Sequence, residues 1–224
     1  YLNFPEAAAR LTAHHKGSLI DTGAPIEPPP SPRPDRRAAR EAWKFPPSRG
    51  RVLLAYGGSQ GSLAINRMMA EWIEHGLPND LYVIWGTGRA TYEQFAHCEG
   101  ERVRVRDYLA PIANAYAATD VALSRAGAMT TAELFSWGIP AILIPLPTAA
   151  ADHQTTNAQT LERAGAAISI PQVQLSADRI DATVRRLLEH PTMLADLAAN
   201  ALARARPNAA EEIARRILAI VDVG

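Results

Sequence analysis

Three short stretches carry residues whose types and spacing suit the capture of an anion and of sugar-like hydroxyls. Gly57-Gly58-Ser59-Gln60-Gly61-Ser62 follows an apolar run and precedes a helical pattern. Glycines let a backbone approach a ligand closely, and the unpaired amides of a helix start favour negative charge. The same glycines equally suit a tight strand-to-helix turn. In Arg125-Ala126-Gly127-Ala128, small side chains leave backbone amides uncovered at the start of a helix holding Thr130, Thr131 and Glu133. A diphosphate fits such a loop. Helix-terminus electrostatics contribute about 0.3–1 kcal/mol at an exposed site, and each hydrogen bond to a charged group adds roughly 1.5–3 kcal/mol. Glu133 has two readings: Thr130-x-x-Glu133 matches a capping box, whereas a carboxylate beside a phosphate site is repelled unless it serves another group, such as the two hydroxyls of a ribose. The third stretch is Asp152-His153-Gln154 with Asn157 one turn on. Spacings of three and four bring residues 153, 154 and 157 to one helix face. Asp152 resembles an N-cap. The cluster suits either sugar hydroxyls or a capped, solvated first turn.

Other chemistries are not indicated. A dinucleotide fold needs G-x-G-x-x-G and a carboxylate near the end of the next strand, whereas here the second run ends Val-Ile-Trp-Gly-Thr-Gly, so NAD and FAD are discounted. No Gly-Lys-Ser/Thr completes a P-loop. No Asp-x-Asp is present, so no metal is expected to hold the diphosphate. The remaining histidines, at 14, 15, 75, 97 and 190, read as surface or core residues.

The elements that must position these loops follow from periodicity. Apolar, β-rich runs begin at Arg51, Asp80, Val103, Val121, Ala141 and Ala166. Helical patterns such as Ser62–Gly76 and Asp152–Gly165 lie between them, with apolar residues recurring near i, i+3, i+4 and i+7. Continuous apolar strands with crossover helices predict an α/β fold, a Rossmann-like doubly wound parallel sheet covered on both faces. Ligands of such sheets bind beyond the carboxyl ends of the strands. Ahead of the sheet, a helix is expected around Pro5–Leu11 and a strand over Ser18–Gly23. Prolines at 25, 28, 29, 30, 32 and 34 mark an extended linker. Two further helical patterns begin at Ser176 and Leu194. Residues 208–224 form an amphipathic helix with Ile213, Ile217, Leu218 and Val221 near one face.

With 23 basic and 23 acidic residues among 224, the net charge is zero, and no dense Lys/Arg block draws in nucleic acid. A lone cysteine, Cys98, and the lack of a metal-spaced Cys/His cluster fit a reducing, cytoplasmic setting. No apolar run reaches the roughly 18 residues of a membrane span, so any membrane contact is expected to be peripheral. The first residue is Tyr rather than Met, and the chain begins as though within a domain, which suggests a fragment.

The loops in this order are similar to more than a generic sheet. Gly57–Ser62, Arg125–Leu134, Gly138–Pro147 and Asp152–Ala167 together resemble the C-terminal, donor-binding half of the MurG family of bacterial N-acetylglucosaminyltransferases. Phe4–Leu11 and Thr22–Pro29 look like the end of that family's first domain and its interdomain linker. The resemblance implies one half of a two-domain glycosyltransferase-B architecture. The implied activity is inverting, metal-independent transfer from UDP-N-acetylglucosamine to lipid I, giving lipid II. The domain plan it implies is a remnant of the acceptor domain over 1–24, linker and first helix over 25–50, donor domain over 51–206, and a C-terminal helix over 207–224 that packs on the first domain.

By the same resemblance, Ser59 and the amides of Ala128, Met129 and Thr130 hold the diphosphate, Leu109 presents its backbone to uracil, Glu133 takes the ribose hydroxyls, and His153, Gln154 and Asn157 read N-acetylglucosamine. Preorganised amides of this kind stabilise charge on a leaving nucleotide. The implied partners are UDP-N-acetylglucosamine, lipid I through the first domain, and the inner face of the cell membrane. No further cofactor, metal or nucleic acid is implied. The general base is expected in the first domain, so no catalytic residue is assigned within this sequence. One departure is Glu27, where the family commonly has an arginine near the diphosphate, so either another arginine such as Arg125 substitutes or the helix amides carry more of the charge. Two alternatives stay open: a natural donor-binding subunit of a two-chain transferase, and a related transferase using another UDP-sugar or lipid acceptor.

Overall fold

The computed structural model of the chain describes residues 1, 2, 8, 19–149 and 152–221. All six apolar runs form strands: β1 (Arg51–Tyr56), β2 (Leu81–Gly86), β3 (Val103–Arg106), β4 (Val121–Ser124), β5 (Ala141–Leu143) and β6 (Ala167–Ser169). They make one sheet in the order β3-β2-β1-β4-β5-β6, with every neighbouring pair parallel. The order reverses at the β1/β4 boundary, the place where doubly wound sheets open a crevice for ligands.

Side chains alternate across the strands, so both faces are buried. Leu53 and Ala55 of β1 join a core with Trp72 of α2 (Leu63–His75), Ile180 of α7 (Ala177–Glu189) and Leu197 of α8 (Pro191–Ala203). Val52, Leu54 and Tyr56 face the opposite core, with Tyr116 of α4 (Ile112–Ala118), Leu134 of α5 (Ala128–Trp137) and Leu161 of α6 (His153–Arg163). The linker contributes α1 (Arg36–Ala42), whose N-cap Asp35 accepts from the Ala38 amide at 2.8 Å. Its arginines reach the amino-terminal edge of the sheet. There Asp120, 7% exposed, accepts from Arg36, from Arg40 at 2.6 Å, from Arg51 at 3.0 Å and from the Val52 amide at 2.8 Å.

Two expectations are adjusted and one falls outside the described residues. The helix expected around Pro5–Leu11 lies outside the described residues apart from Ala8, and the segment expected as a strand over Ser18–Gly23 makes a single parallel bridge, Leu2 to Asp21. Helix α8 begins at Pro191 rather than Leu194, because proline suits a first helical position where its missing N–H is not needed. Helix α9 (Ala209–Val221) forms as expected and exposes Ile217, Leu218 and Ile220; the side chain of Val221 is outside the described set. Among the described residues, no helix is long and apolar enough to cross a membrane.

Candidate functional site

A cleft of about 290 Å³ opens beyond the carboxyl ends of the strands, bordered by the loops after β1, β2, β3 and β4. It gathers five of the nine expected site residues: Ser59, Leu109, Met129, Thr130 and Glu133. Ala128, His153, Gln154 and Asn157 do not line it. Two of these four are tied into loops beside it. The Gln154 carbonyl accepts from the Leu146 amide at 3.1 Å, and Asn157 donates to the Ala126 carbonyl at 3.3 Å, which holds the start of α6 against the β4–α5 loop.

The glycine-rich loop divides by function. A Cβ on Gly61, whose φ is +76°, would lie 2.1 Å from the Thr87 carbonyl oxygen, so this glycine is required by the close approach of the loop after β2. The turn reading is therefore right for that position. Gly127 is different, because its φ is −70° and a Cβ there would meet nothing nearer than the Thr130 hydroxyl at 3.9 Å. Neither backbone strain nor a packing clash requires glycine at 127.

Helix α5 starts at Ala128 with Gly127 as N-cap, no side-chain cap and no acidic residue in the first turn. The first turn closes with Thr131 N–H donating to the Gly127 carbonyl at 3.0 Å. The amides of Ala128, Met129 and Thr130 are thus the orphan donors of the helix start. This geometry excludes the capping-box reading of Thr130 and Glu133. Thr130 is already the third helical residue, so Glu133 lies a turn too far along to reach back to a cap.

Glu133 instead faces the cleft and accepts from the Tyr116 hydroxyl at 2.7 Å, and Tyr116 lies 3.1 Å from the buried Tyr56 hydroxyl. Burial pushes both tyrosine pKa values well above the ordinary range, and the neighbouring Glu133 charge adds to this. Each tyrosine therefore keeps its single proton. Tyr116 gives its proton to Glu133, so Tyr56 must be the donor to Tyr116. The carboxylate is oriented from behind, and its remaining lone pairs are directed by that hold.

Leu109 packs its side chain over Gly86, where an added Cβ would sit 2.9 Å from Leu109 Cδ1. That contact seats the residue, 9% exposed, at the cleft wall. Asp152 does occupy the N-cap position of α6, but with left-handed φ of 53° and no side-chain cap bond, so the expected cap is positional only. Glu27 is exposed and is not among the residues lining the cleft. Arg125 is not a free cation for a ligand: it is buried, and its guanidinium is hydrogen-bonded to Ser62, Gln172 and the carbonyls of Ile144 and Pro145. Among the described residues, no group of three His, Cys, Asp or Glu side chains could hold a metal ion.

Tyr56 and Tyr116 were not singled out from the sequence. Tyr56 had a usable signal as the last residue of a strand directly before the glycine loop. Tyr116 had none, since its link to Glu133 spans 17 residues and depends on α4 packing beside α5.

Comparisons with known proteins follow the same loops. The family described as "Glycosyltransferase family 28 C-terminal domain" matches residues 52–213. A protein of Salinibacter ruber named UDP-N-acetylglucosamine–N-acetylmuramyl-(pentapeptide) pyrophosphoryl-undecaprenol N-acetylglucosamine transferase is 41% identical over 99% of this chain and 59% of its own length. A protein of the same name from Desulfitobacterium hafniense is 36% identical over 96% of this chain and 59% of its own. The crystal structure of Acinetobacter baumannii MurG superposes with a TM-score of 0.68 at 26% identity, over 83% of this chain and 53% of that one. The chain thus spans a little over half the length of the relatives it matches. With the family model matched over residues 52–213, which span all six strands but the first residue of β1, the chain belongs to the glycosyltransferase family 28 C-terminal domain family.

Proposed function

We propose that this chain supplies the donor site of an inverting, metal-independent transferase that moves N-acetylglucosamine from UDP-N-acetylglucosamine to lipid I, the undecaprenol-linked muramoyl pentapeptide, to form lipid II. The observation that carries this reading is the convergence of the uncapped start of α5, whose Met129 and Thr130 line the cleft, with Ser59 and Glu133 around it. The diphosphate lies on Ser59 and those amides, whose dipoles stabilise the charge that develops on the departing UDP. Glu133 takes the ribose hydroxyls, and the backbone of Leu109 meets uracil. His153, Gln154 and Asn157 read the sugar from the start of α6, which Asn157 anchors beside the diphosphate loop.

The general base and the acceptor site belong to the part of the relatives' length that this chain does not span. Residues 51–206 act as the donor domain, and residues 25–50 link it to the acceptor half. The exposed Ile217 and Leu218 of α9 are the surface that packs on that half. An undecaprenol-linked acceptor resides in a bilayer, so the complete enzyme works as a peripheral protein on the cytoplasmic face of the membrane.

Calorimetric titration of the chain with UDP, UDP-N-acetylglucosamine and UDP-glucose tests the reading. Expected is binding of UDP and of the N-acetylated sugar, with loss on Glu133→Ala of about tenfold or more, the worth of hydrogen bonds to a charged group. A chain that binds none of the three, or prefers UDP-glucose, would remove it.

A further inference from the structure

At the carboxyl edge of the sheet Asp107 and Glu133 line the cleft and Asp152 is the N-cap of α6, but the hydrogen bonds of the buried Arg125 go to none of them. Helices α2, α5 and α6 all begin there, and none has an acidic residue in its first turn. Each helix start carries roughly half a positive charge. Into the same corner the chain buries Arg125, which is 8% exposed. One guanidinium nitrogen donates to Ser62 Oγ and to Gln172 Oε1, both at 2.7 Å, and the other to the carbonyls of Ile144 and Pro145, both at 3.2 Å. Every one of these acceptors is neutral. Burial lowers the pKa of Arg125, and no carboxylate acts to raise it. A buried cation satisfied in its hydrogen bonds but not in its charge is costly to a folded chain.

The same four hydrogen bonds join the loops that border the proposed donor. Ser62 caps α2 and ends the glycine-rich loop. Ile144 and Pro145 lead into the segment whose Leu146 amide is held by Gln154. Arg125 itself opens the β4–α5 loop, and the next residue, Ala126, receives Asn157.

We propose that Arg125 is the positioning residue of the diphosphate subsite: it braces the three loops from beneath and leaves a buried positive charge that the diphosphate of the donor, not a side chain, offsets. This inference rests on the donor-site reading above. It differs from a direct contact, because both terminal guanidinium nitrogens donate to the protein and act on the ligand through the loops they hold and through the field. It also accounts for a diphosphate site whose linker carries Glu27 rather than a cation.

The test compares UDP with uridine, which shares the base and ribose but lacks the charge, by titration of the wild-type chain, Arg125→Gln and Arg125→Lys, with circular dichroism as a check of folding. Expected is that Arg125→Gln weakens UDP by about tenfold or more and uridine by less than about threefold. Arg125→Lys, which keeps the charge and gives up part of the bracing, keeps most of the preference for UDP. Parallel losses for UDP and uridine in the glutamine variant would reduce Arg125 to an architectural brace and overturn the proposal. If Arg125→Gln does not fold, the lysine variant decides: a retained preference for UDP supports the role of the charge, and a collapsed one overturns it. A wild-type chain that binds uridine and UDP equally would overturn this inference alone. One that binds neither would overturn the donor reading and this inference with it.

Discussion

The two ends of the sheet bury arginines in opposite ways. At the amino-terminal edge, Arg40 lies against Asp120, which also accepts from Arg36, Arg51 and the Val52 amide, so a carboxylate is at the centre of the cluster. At the carboxyl edge, Arg125 is buried among neutral acceptors near three helix starts that lack acidic first turns. One end supplies its own counter-charge and the other does not. The first clamps the linker helix α1 to the sheet, whereas the second leaves Arg125 without a carboxylate partner beside a helix start with free amides. Burying charge serves architecture when the chain provides the partner and recognition when a ligand must.

The largest effect expected from breaking this comparison is at the closed end. Asp120→Asn removes the carboxylate that, among the described residues, accepts from Arg40, whose side chain is 5% exposed. Desolvation already lowers the pKa of Arg40 against the pull of Asp120, so the arginine is left as an uncompensated buried cation. Breaking one partner of a buried pair costs about 3–5 kcal/mol. Urea unfolding should show a loss of that order, while UDP affinity of the remaining folded protein stays at the wild-type value. A matching loss of UDP affinity would mean that the two ends are not separate.

The contrast between the ends also explains what could be read from the sequence. The six strands were legible because a sheet covered on both faces needs continuous apolar runs, and Val52–Tyr56 fills both cores in alternation. Ser59, the amides after Gly127 and Glu133 were legible because loops at the ends of such strands carry their signals locally. The Asp120 cluster was not, since its arginines come from 69 to 84 residues away and meet only when α1 folds back on the sheet. Local pattern also misled. Thr130-x-x-Glu133 has capping-box spacing, but the helix begins two residues before Thr130, so the same spacing places Glu133 against Tyr116. Arg125 was noticed as a possible ligand cation, and only the tertiary structure shows that its donors are already occupied.

A second, smaller effect belongs to the open end. Gly61→Ala places a methyl 2.1 Å from the Thr87 carbonyl oxygen at a φ of +76°, a conformation that costs about 1–3 kcal/mol for a residue other than glycine before the clash is added. Thermal unfolding should fall accordingly, and UDP binding should weaken because the loop carrying Ser59 must move. Unchanged stability would show that the loops after β1 and β2 are not packed as described.

Smaller again is Tyr116→Phe. It takes from Glu133 one hydrogen bond to a charged group, worth roughly 1.5–3 kcal/mol when fully formed and less where the carboxylate can turn to water. UDP affinity should drop about threefold to tenfold, and the preference for UDP over 2′-deoxy-UDP should shrink, because Glu133 is no longer held toward the ribose. Loss of affinity with that preference intact would place the effect of Tyr116 in packing rather than in orienting the carboxylate.

The smallest effect on stability is expected at Gly127, and it gives the sharpest separation of the two kinds of site. With φ at −70° and no neighbour within 3.9 Å of an added Cβ, Gly127→Ala fits the folded chain without strain. The gain from restricting the unfolded chain, about 0.4–1 kcal/mol, is opposed by the preference of an N-cap position for glycine over alanine, of similar size. The melting temperature should therefore change little while UDP affinity falls, because the new methyl stands beside the amides of Ala128, Met129 and Thr130. Uridine, which has no diphosphate to seat there, should bind as before. A protein of little-changed stability that is made less able to bind by one methyl group would show that this glycine serves the ligand, just as Gly61 serves the fold. Unchanged UDP affinity would mean that the start of α5 is not where the diphosphate lies.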